Sequence, residues 1–194
     1  MKTLSILIAE DQALTRMDLK EMLEGAGYVV CADTNNGAKA VELAKQLMPD
    51  LAILDIKMPG LDGLEVARIL HSMNIPVIIL TAYSQINFIN RAEKVYVYNY
   101  LVKPIREKDL LPAIRIAYSR WKEMQDMQTE LKNMEKKLKQ EKLISHAKSI
   151  IAKQKNISEY DAHKYLIQRA MNHRITLIDC ARQIISKEKI LNKS

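Results

Sequence analysis

The sequence predicts a doubly wound α/β domain with a five-stranded parallel sheet, then a long coiled-coil helix and a small three-helix bundle. Three observations predict it. Short apolar runs alternate with amphipathic stretches through the first half, the pattern of βαβ units. From Ala113 to about Lys155 there is neither Pro nor Gly, and Lys, Glu, Gln, Met and Leu dominate, as in one continuous helix. Beyond it, two short helical patterns each follow a capping sequence.

Strands are expected over 4–9, 28–32, 51–54, 77–80 and 97–102. Runs this apolar, alternating with helices, are buried on both faces. Leu14, Met17, Leu19, Met22 and Leu23 give the first helix its apolar spacing, and Gly25 and Gly27 end it. Pro49, Pro59-Gly60, Gly63 and Pro76 fall between elements, where chain breakers belong.

The character changes after Pro112. Ile114, Ala117, Trp121 and Met124 form one apolar register, and Met124, Met127, Leu131, Met134 and Leu138 a second, offset by about three residues. Such a stammer overwinds a supercoil, and the methionines with polar Gln128 weaken the seam, so a marginal parallel dimer is expected. Ile144, Ala147, Ile150 and Ile151 give the helix end its own apolar face. Ser158-Glu159-Tyr160-Asp161 starts a second helix, with Ala162, Tyr165, Leu166 and Ala170 at helical spacing and Asn172-His173 at its close. Thr176-Leu177-Ile178-Asp179 starts a third, to about Lys187, which buries Ile178, Ala181, Ile184 and Ile185. The expected divisions are 1–118, 119–141 and 142–194.

Composition narrows the function. Hydrophobic residues make up 48% of 194, enough for a packed core. Cys31 and Cys180 have no partner spacing for a metal or a disulfide and read as small buried apolar residues of a reduced compartment. The N-terminal stretch is too short and too acidic for a signal peptide, and no apolar run could span a bilayer. A soluble, cytoplasmic protein with no membrane partner is expected.

The net charge of +7 is uneven: residues 1–112 carry 12 basic and 14 acidic side chains, residues 113–194 carry 18 and 9. A mildly acidic half joined to a basic half turns the second towards a polyanion, although lysines on a solvated helix raise the same count. The second half has no Gly-rich phosphate loop, no paired catalytic acids and no nucleophile beside a base, so an enzymatic output is not expected.

Four fragments carry chemistry. Ile8-Ala9-Glu10-Asp11, Leu51-Ala52-Ile53-Leu54-Asp55, Ile78-Ile79-Leu80-Thr81-Ala82 and Tyr100-Leu101-Val102-Lys103-Pro104 each end an apolar run on polar residues. The carboxyl ends of parallel strands face the ligand crevice, which puts Glu10, Asp11, Asp55, Thr81 and Lys103 on one rim. Singly, each is an ordinary cap, turn or surface lysine. In order, each after its own strand, they equip a site to hold a divalent cation and pass a phosphoryl group to a carboxylate.

A carboxylate attacks phosphorus poorly while both are anionic, and Mg²⁺ (or Mn²⁺) would neutralise the meeting oxygens. Glu10 and Asp11 supply extra carboxylates, and Asp55 is both ligand and nucleophile. Lys103 offers a point charge and Thr81 a hydroxyl donor to phosphoryl oxygens. Pro104 fixes the loop after Lys103, a cis bond being one means.

This pattern resembles the receiver domain of two-component response regulators, over residues 1–118, and implies its flavodoxin-like fold. The resemblance makes Asp55 the phospho-acceptor, Glu10 and Asp11 the acidic pair, and Thr81 the switch hydroxyl. Lys103 matches the family's lysine and Tyr100 its switch aromatic. Lys57, in the loop Ile56-Lys57-Met58-Pro59-Gly60-Leu61-Asp62-Gly63, would offer its backbone carbonyl to the metal. A Glu-Asp pair stands where Asp-Asp is commoner, and Tyr96-Val97-Tyr98-Asn99 where Gly-Ala is usual. The implied phosphodonor is a sensor histidine kinase, and slow self-dephosphorylation is the only turnover implied.

The text from Leu143 through Ala147-Lys148, Ile150-Ile151, Ile157-Ser158-Glu159, Ala162, Tyr165-Leu166, Ala170-Met171, Asp179, Ala181 and Ile184-Ile185 resembles the ANTAR domain. That domain is an RNA-binding module of antitermination regulators. The order of parts is similar to antiterminators of the ethanolamine-utilisation type. It implies a homodimer formed on phosphorylation that holds hairpins in nascent RNA and prevents a terminator.

Residues 141–194 carry 11 basic and 5 acidic side chains. Lys148, Arg169, Asn172, His173, Arg174 and Arg182 are the candidate RNA contacts, with Lys153 and Lys155 as solvated neighbours. The chain reads Ala147-Lys148-Ser149-Ile150-Ile151-Ala152 where the family has Ala-Lys-Gly-x-Leu-Met, and Ala170 where Ser is common. Tyr160 and Tyr165 read as core or half-core, and His71, His146 and His163 as surface or edge. A DNA-binding output would rest on Arg182 and Gln183 alone. A protein-interaction output is the other alternative.

Overall fold

The apolar runs form β1 (Ser5–Ala9), β2 (Val29–Thr34), β3 (Leu51–Asp55), β4 (Val77–Thr81) and β5 (Asn99–Val102). They are seen in a computed structural model that describes residues 3–82 and 97–191. Neighbouring strands pair in parallel in the order β2-β1-β3-β4-β5. This is the flavodoxin-like order. Its winding reverses between β1 and β3, which opens a crevice outside their carboxyl ends.

Alternation along the strands sorts the core into two layers. Leu7, Ala9, Ala52, Leu54, Val77 and Ile79 pack with α2 (Gly37–Leu47) and α3 (Gly63–Ser72). Ile6, Ile8, Leu51, Ile53, Ile78 and Leu80 pack with α1 (Ala13–Gly25) and the start of α4 (Glu107–Lys155). The expected doubly wound sheet is therefore present, with helices on both faces. Asn36 caps α2 by accepting from the Lys39 N–H, and Asp62 with Glu65 closes a capping box on α3.

Three local expectations shift. Leu14 and Met17 fit the apolar period of α1 but are exposed, because they lie across the helix from buried Leu19 and Leu23. Strand β2 starts at Val29 and runs to Thr34, with Cys31 as an extra residue opposite the Ile6–Leu7 step of β1. The half-buried Cys31 thiol donates to the Ile6 carbonyl at 3.4 Å.

The long helix begins at Glu107, with Pro112 inside it, rather than after that proline. Pro112 sits in the second turn, where it forfeits one bond to the Lys108 carbonyl, and Lys108 is exposed to water. Leu110, Ala113, Ile114 and Ala117 reward this early start by packing on the sheet.

The chain divides into a unit of residues 1–125 and a unit of residues 126–194. In the second, the end of α4 packs with α5 (Glu159–Asn172) and α6 (Leu177–Leu191) around Ala147, Ile151, Leu166, Cys180 and Ile184. The Ser158 and Thr176 hydroxyls accept from the Asp161 and Asp179 N–H groups, each at 3.1 Å, and donate to the same residues' carboxylates. Helix α6 runs past Lys187 to Leu191. Among the described residues, no helix is long and apolar enough to cross a membrane.

Candidate functional site

Strand register brings the polar ends of the runs to one level. Ala9 pairs with Leu54, Asp55 with Leu80 and Thr81 with Val102. The residues that close or follow these positions are Glu10, Asp11, Asp55, Thr81 and Lys103, so all five reach the rim of the crevice. The Glu10 N–H donates to the Thr34 carbonyl at 3.0 Å, and the Lys103 N–H to the Thr81 carbonyl at 2.9 Å. The Lys103–Pro104 peptide is cis.

Lys103 joins two strand ends. Its Nζ lies 2.9 Å from Glu10 Oε1 and 2.7 Å from Oε2, and 3.2 Å from Asp55 Oδ1. Glu10 is fully buried and Asp55 nearly so, while Asp11 is exposed. Oε1 also accepts from the Gln12 N–H at 3.1 Å. Oε2 has the ion-pair contact but no aligned hydrogen-bond donor.

Burial pushes the Glu10 carboxyl above its ordinary range, and the nearby Asp55 charge adds to this; Lys103 opposes both. Asp55 is likewise pushed up by burial, against the pull of Lys103. One carboxylate oxygen from each of Glu10, Asp11 and Asp55 lies within 4.8 Å of the others, a group able to hold a metal ion. Among the described residues three carboxylates face one ammonium, and Glu10 Oε2 has no aligned hydrogen-bond donor besides that ion-pair contact. That donor set fits a hard divalent cation.

The remaining predicted residues occupy distinct places. Thr81 is fully buried, its hydroxyl donating to the Ala82 carbonyl at 3.1 Å. Lys57 follows the buried Ile56 with its side chain exposed. Tyr100 is half-buried against the α2–α3 layer, and burial raises its phenol. Tyr98 packs on the opposite layer, and its hydroxyl donates to Met124 Sδ at 3.6 Å. Tyr96 lies outside the described residues.

Some supports were not read from the sequence. Arg16 donates to the Glu10 carbonyl at 2.8 Å and pairs with Asp33 at 3.1 Å, fixing the turn that carries the acids. Lys20 reaches the same Asp33 at 3.7 Å. Gly63 donates to the Ile56 carbonyl at 2.9 Å, and a Cβ there would overlap the Asp55 carbonyl. Glycine at this position thus lets α3 approach the backbone of the acceptor strand.

In the second unit, Lys148 and Arg169 are half-buried, and Asn172, His173, Arg174 and Arg182 are exposed. Arg169 Nε is shielded and has no hydrogen-bond partner among the described residues, while Arg182 pairs with Asp179 at 3.4 Å. Lys155 Nζ lies 4.5 Å above the Tyr165 ring. Lys148 and Lys155 share a face of α4, and Tyr165, Arg169 and Asn172 share one of α5. The Lys155–Tyr165 contact draws these two faces together. Tyr160 is not a core residue: it is 69% exposed, with Lys164 Nζ 4.4 Å over its ring.

Comparison with known proteins agrees with this division. The response regulator receiver domain model matches residues 6–115, and the ANTAR domain model matches residues 132–185. The transcriptional regulatory protein PdtaR of Mycobacterium tuberculosis is 41% identical over 173 residues, 89% of this chain and 84% of that protein. The chemotaxis protein CheY of Thermotoga maritima is 32% identical over 111 residues, 56% of this chain and 92% of its own. The solved receiver domain of a modulated diguanylate cyclase from Desulfovibrio desulfuricans superposes with TM-score 0.59 at 36% identity, covering 62% of this chain and 98% of that one. With a receiver match over more than half its length and an ANTAR match after it, the chain belongs to the response regulators that join these two domains.

Proposed function

We propose that this protein is switched by phosphorylation of Asp55 and that its ANTAR unit, as a dimer, binds hairpins in nascent RNA to promote antitermination. The observation that carries the reading is the bridge from Lys103 to both Glu10 and Asp55 beside a cluster of three carboxylates. A sensor histidine kinase is the proposed phosphodonor, the cytoplasm the proposed compartment, and no further enzymatic activity is proposed.

Glu10, Asp11, Asp55 and the Lys57 carbonyl would hold Mg²⁺. When bound, the ion supplies positive charge to the carboxylate and phosphoryl oxygens as they meet. Asp55 supplies the attacking oxygen. Lys103, released from part of its Asp55 contact, is placed to hold a phosphoryl oxygen. The Thr81 hydroxyl would leave the Ala82 carbonyl to donate to another. Tyr100 would then repack against the α2–α3 layer, which changes the surface of the receiver (residues 1–118).

The linker (residues 119–141) presents its apolar seam to a second copy, and two ANTAR units (residues 142–194) tethered in this way bind by effective concentration. Lys148, Arg169, Asn172, His173, Arg174 and Arg182 are the proposed RNA contacts.

Intact-mass analysis after incubation with acetyl phosphate and Mg²⁺ tests the switch. The wild type should gain one phosphoryl group, lost in Asp55→Asn and in EDTA. A wild type that stays unmodified, or an Asp55→Asn variant modified as fast, would contradict the reading.

A further inference from the structure

A second site lies in the receiver unit, away from the carboxyl rim. A cleft of about 650 Å³ opens between the start of β1, the turn from α1 to β2, and one face of α4. Four residues of α4 line it: Arg115, Tyr118, Ser119 and Lys122. They stand at i, i+3, i+4 and i+7, the spacing of a single helical stripe. The facing wall is built by Thr3, by the left-handed Gly27 and by Tyr28. None of the lining residues is acidic.

The stripe is an unusual use of an exposed helix face. A solvated stripe normally interleaves both signs. Here two cations flank a phenol and a hydroxyl, and among the described residues neither Arg115 nor Lys122 is in an ion pair that offsets its charge. The nearby acid, Glu123, accepts from the Ser119 hydroxyl at 3.3 Å. The Tyr118 ring lies 5.4 Å from that of Trp121, tilted by 33°. Tyr28 and Tyr118 are both half-buried and pack on the sheet layer shared by α1 and α4.

A cleft of this size suits a small organic ligand. Its chemistry specifies a flat ring that lies against phenols and an anion that meets a guanidinium and an ammonium. Along the helix axis Arg115 and Lys122 are about 10 Å apart, so their long side chains can close on a pyrophosphate from both ends. We propose that this cleft binds a nucleoside diphosphate, its phosphates between Arg115 and Lys122 and its base against Tyr28 and Tyr118. The site is independent of the phosphoryl-acceptor chemistry and shares no residue with it.

The single tryptophan reports on this site, since the Trp121 ring lies 5.4 Å from that of Tyr118 in the cleft wall. Full-length protein in EDTA, which silences the carboxylate cluster, is titrated with ADP and with GDP, following Trp121 fluorescence and heat. At least one nucleotide should bind saturably, with Arg115→Gln and Lys122→Gln each weakening it tenfold or more and Asp55→Asn leaving it unchanged. The matching nucleoside and inorganic pyrophosphate, each carrying one part of the ligand, should bind at least tenfold more weakly than the better nucleotide. Both substituted residues are exposed, so thermal melts of the variants should match the wild type.

No saturable binding of either nucleotide up to millimolar concentration would overturn the assignment. So would binding that survives both substitutions. If the two variants instead weaken only the binding of an RNA hairpin, the face belongs to RNA and the nucleotide site is excluded.

Discussion

Lys103 Nζ lies 2.7 Å from Glu10 Oε2 and 2.9 Å from Oε1, so a cation from the last strand neutralises a carboxylate buried at the end of the first. The two residues are 93 positions apart in sequence. Their contact closes the sheet's upper rim, and with Asp55 it forms a charge cluster in which every member depends on the others.

Removal of that ammonium is costly in a pH-dependent way. Lys103→Met should destabilise the receiver by about 3–5 kcal/mol at pH 7, since Glu10 is left buried without a counter-charge. At pH 5 the loss should be smaller, because a carboxyl already pushed upward takes up a proton more readily. Urea denaturation at the two pH values measures the difference, and equal losses would contradict the pairing.

Titration of the wild type in EDTA has a definite sign. Glu10 and Asp55 hold their protons more tightly when folded than at their ordinary values of 4.5 and 3.8. Between the ordinary and the raised values the folded chain binds more protons than the unfolded one, so stability falls as pH rises through that window. Below it both states are protonated and the cost vanishes; above it the cost is constant. Mg²⁺ should raise the melting temperature chiefly on the alkaline side. Glu10→Gln should flatten the slope.

Two glycines separate packing from flexibility. A Cβ at Gly63 would overlap the Asp55 carbonyl, whereas one at Gly25 meets nothing within 4 Å. Gly63→Ala should cost about 1–3 kcal/mol and slow phosphoryl uptake, because α3 must move off the acceptor strand. Gly25→Ala should stay within about 0.5 kcal/mol of the wild type. Thermal melts with mass-resolved phosphorylation rates read both effects.

The seam of the long helix is available to a partner. Met124, Met127, Leu131, Met134 and Leu138 are between 45% and 65% exposed. Leu131→Asn should leave the melting of each unit unchanged and abolish the dimer expected with beryllofluoride, as read by sedimentation equilibrium. A variant that still dimerises would place the interface elsewhere.

What was legible in the sequence had local causes. Apolar runs ending in Glu10, Asp55, Thr81 and Lys103 gave away both the strands and the rim, because strands of a parallel sheet are buried on both faces and their carboxyl ends face the ligand crevice. The Ser158 and Thr176 caps were equally local. What was not legible depended on tertiary direction. Leu14 and Met17 satisfy the helical period yet face outward, since period does not say which side meets the sheet. Pro112 reads as a breaker, but the burial of Leu110 and Ala113 outweighs one lost hydrogen bond in an exposed turn. Tyr160 looked like core and is exposed, because Ala162 and Leu166 already fill the face it would have needed. The Arg16–Asp33 brace and the approach of Gly63 to Asp55 join segments that no spacing rule connects.

Binding of full-length protein to a tandem RNA hairpin is followed together with its mass in solution, with and without beryllofluoride and Mg²⁺, for the wild type and Asp55→Asn. The expected result is a dimer and at least tenfold tighter RNA binding for the wild type with beryllofluoride, and no change for Asp55→Asn. RNA binding and mass that ignore beryllofluoride in the wild type, or that respond equally in Asp55→Asn, would contradict a switch built on the Glu10–Lys103–Asp55 cluster.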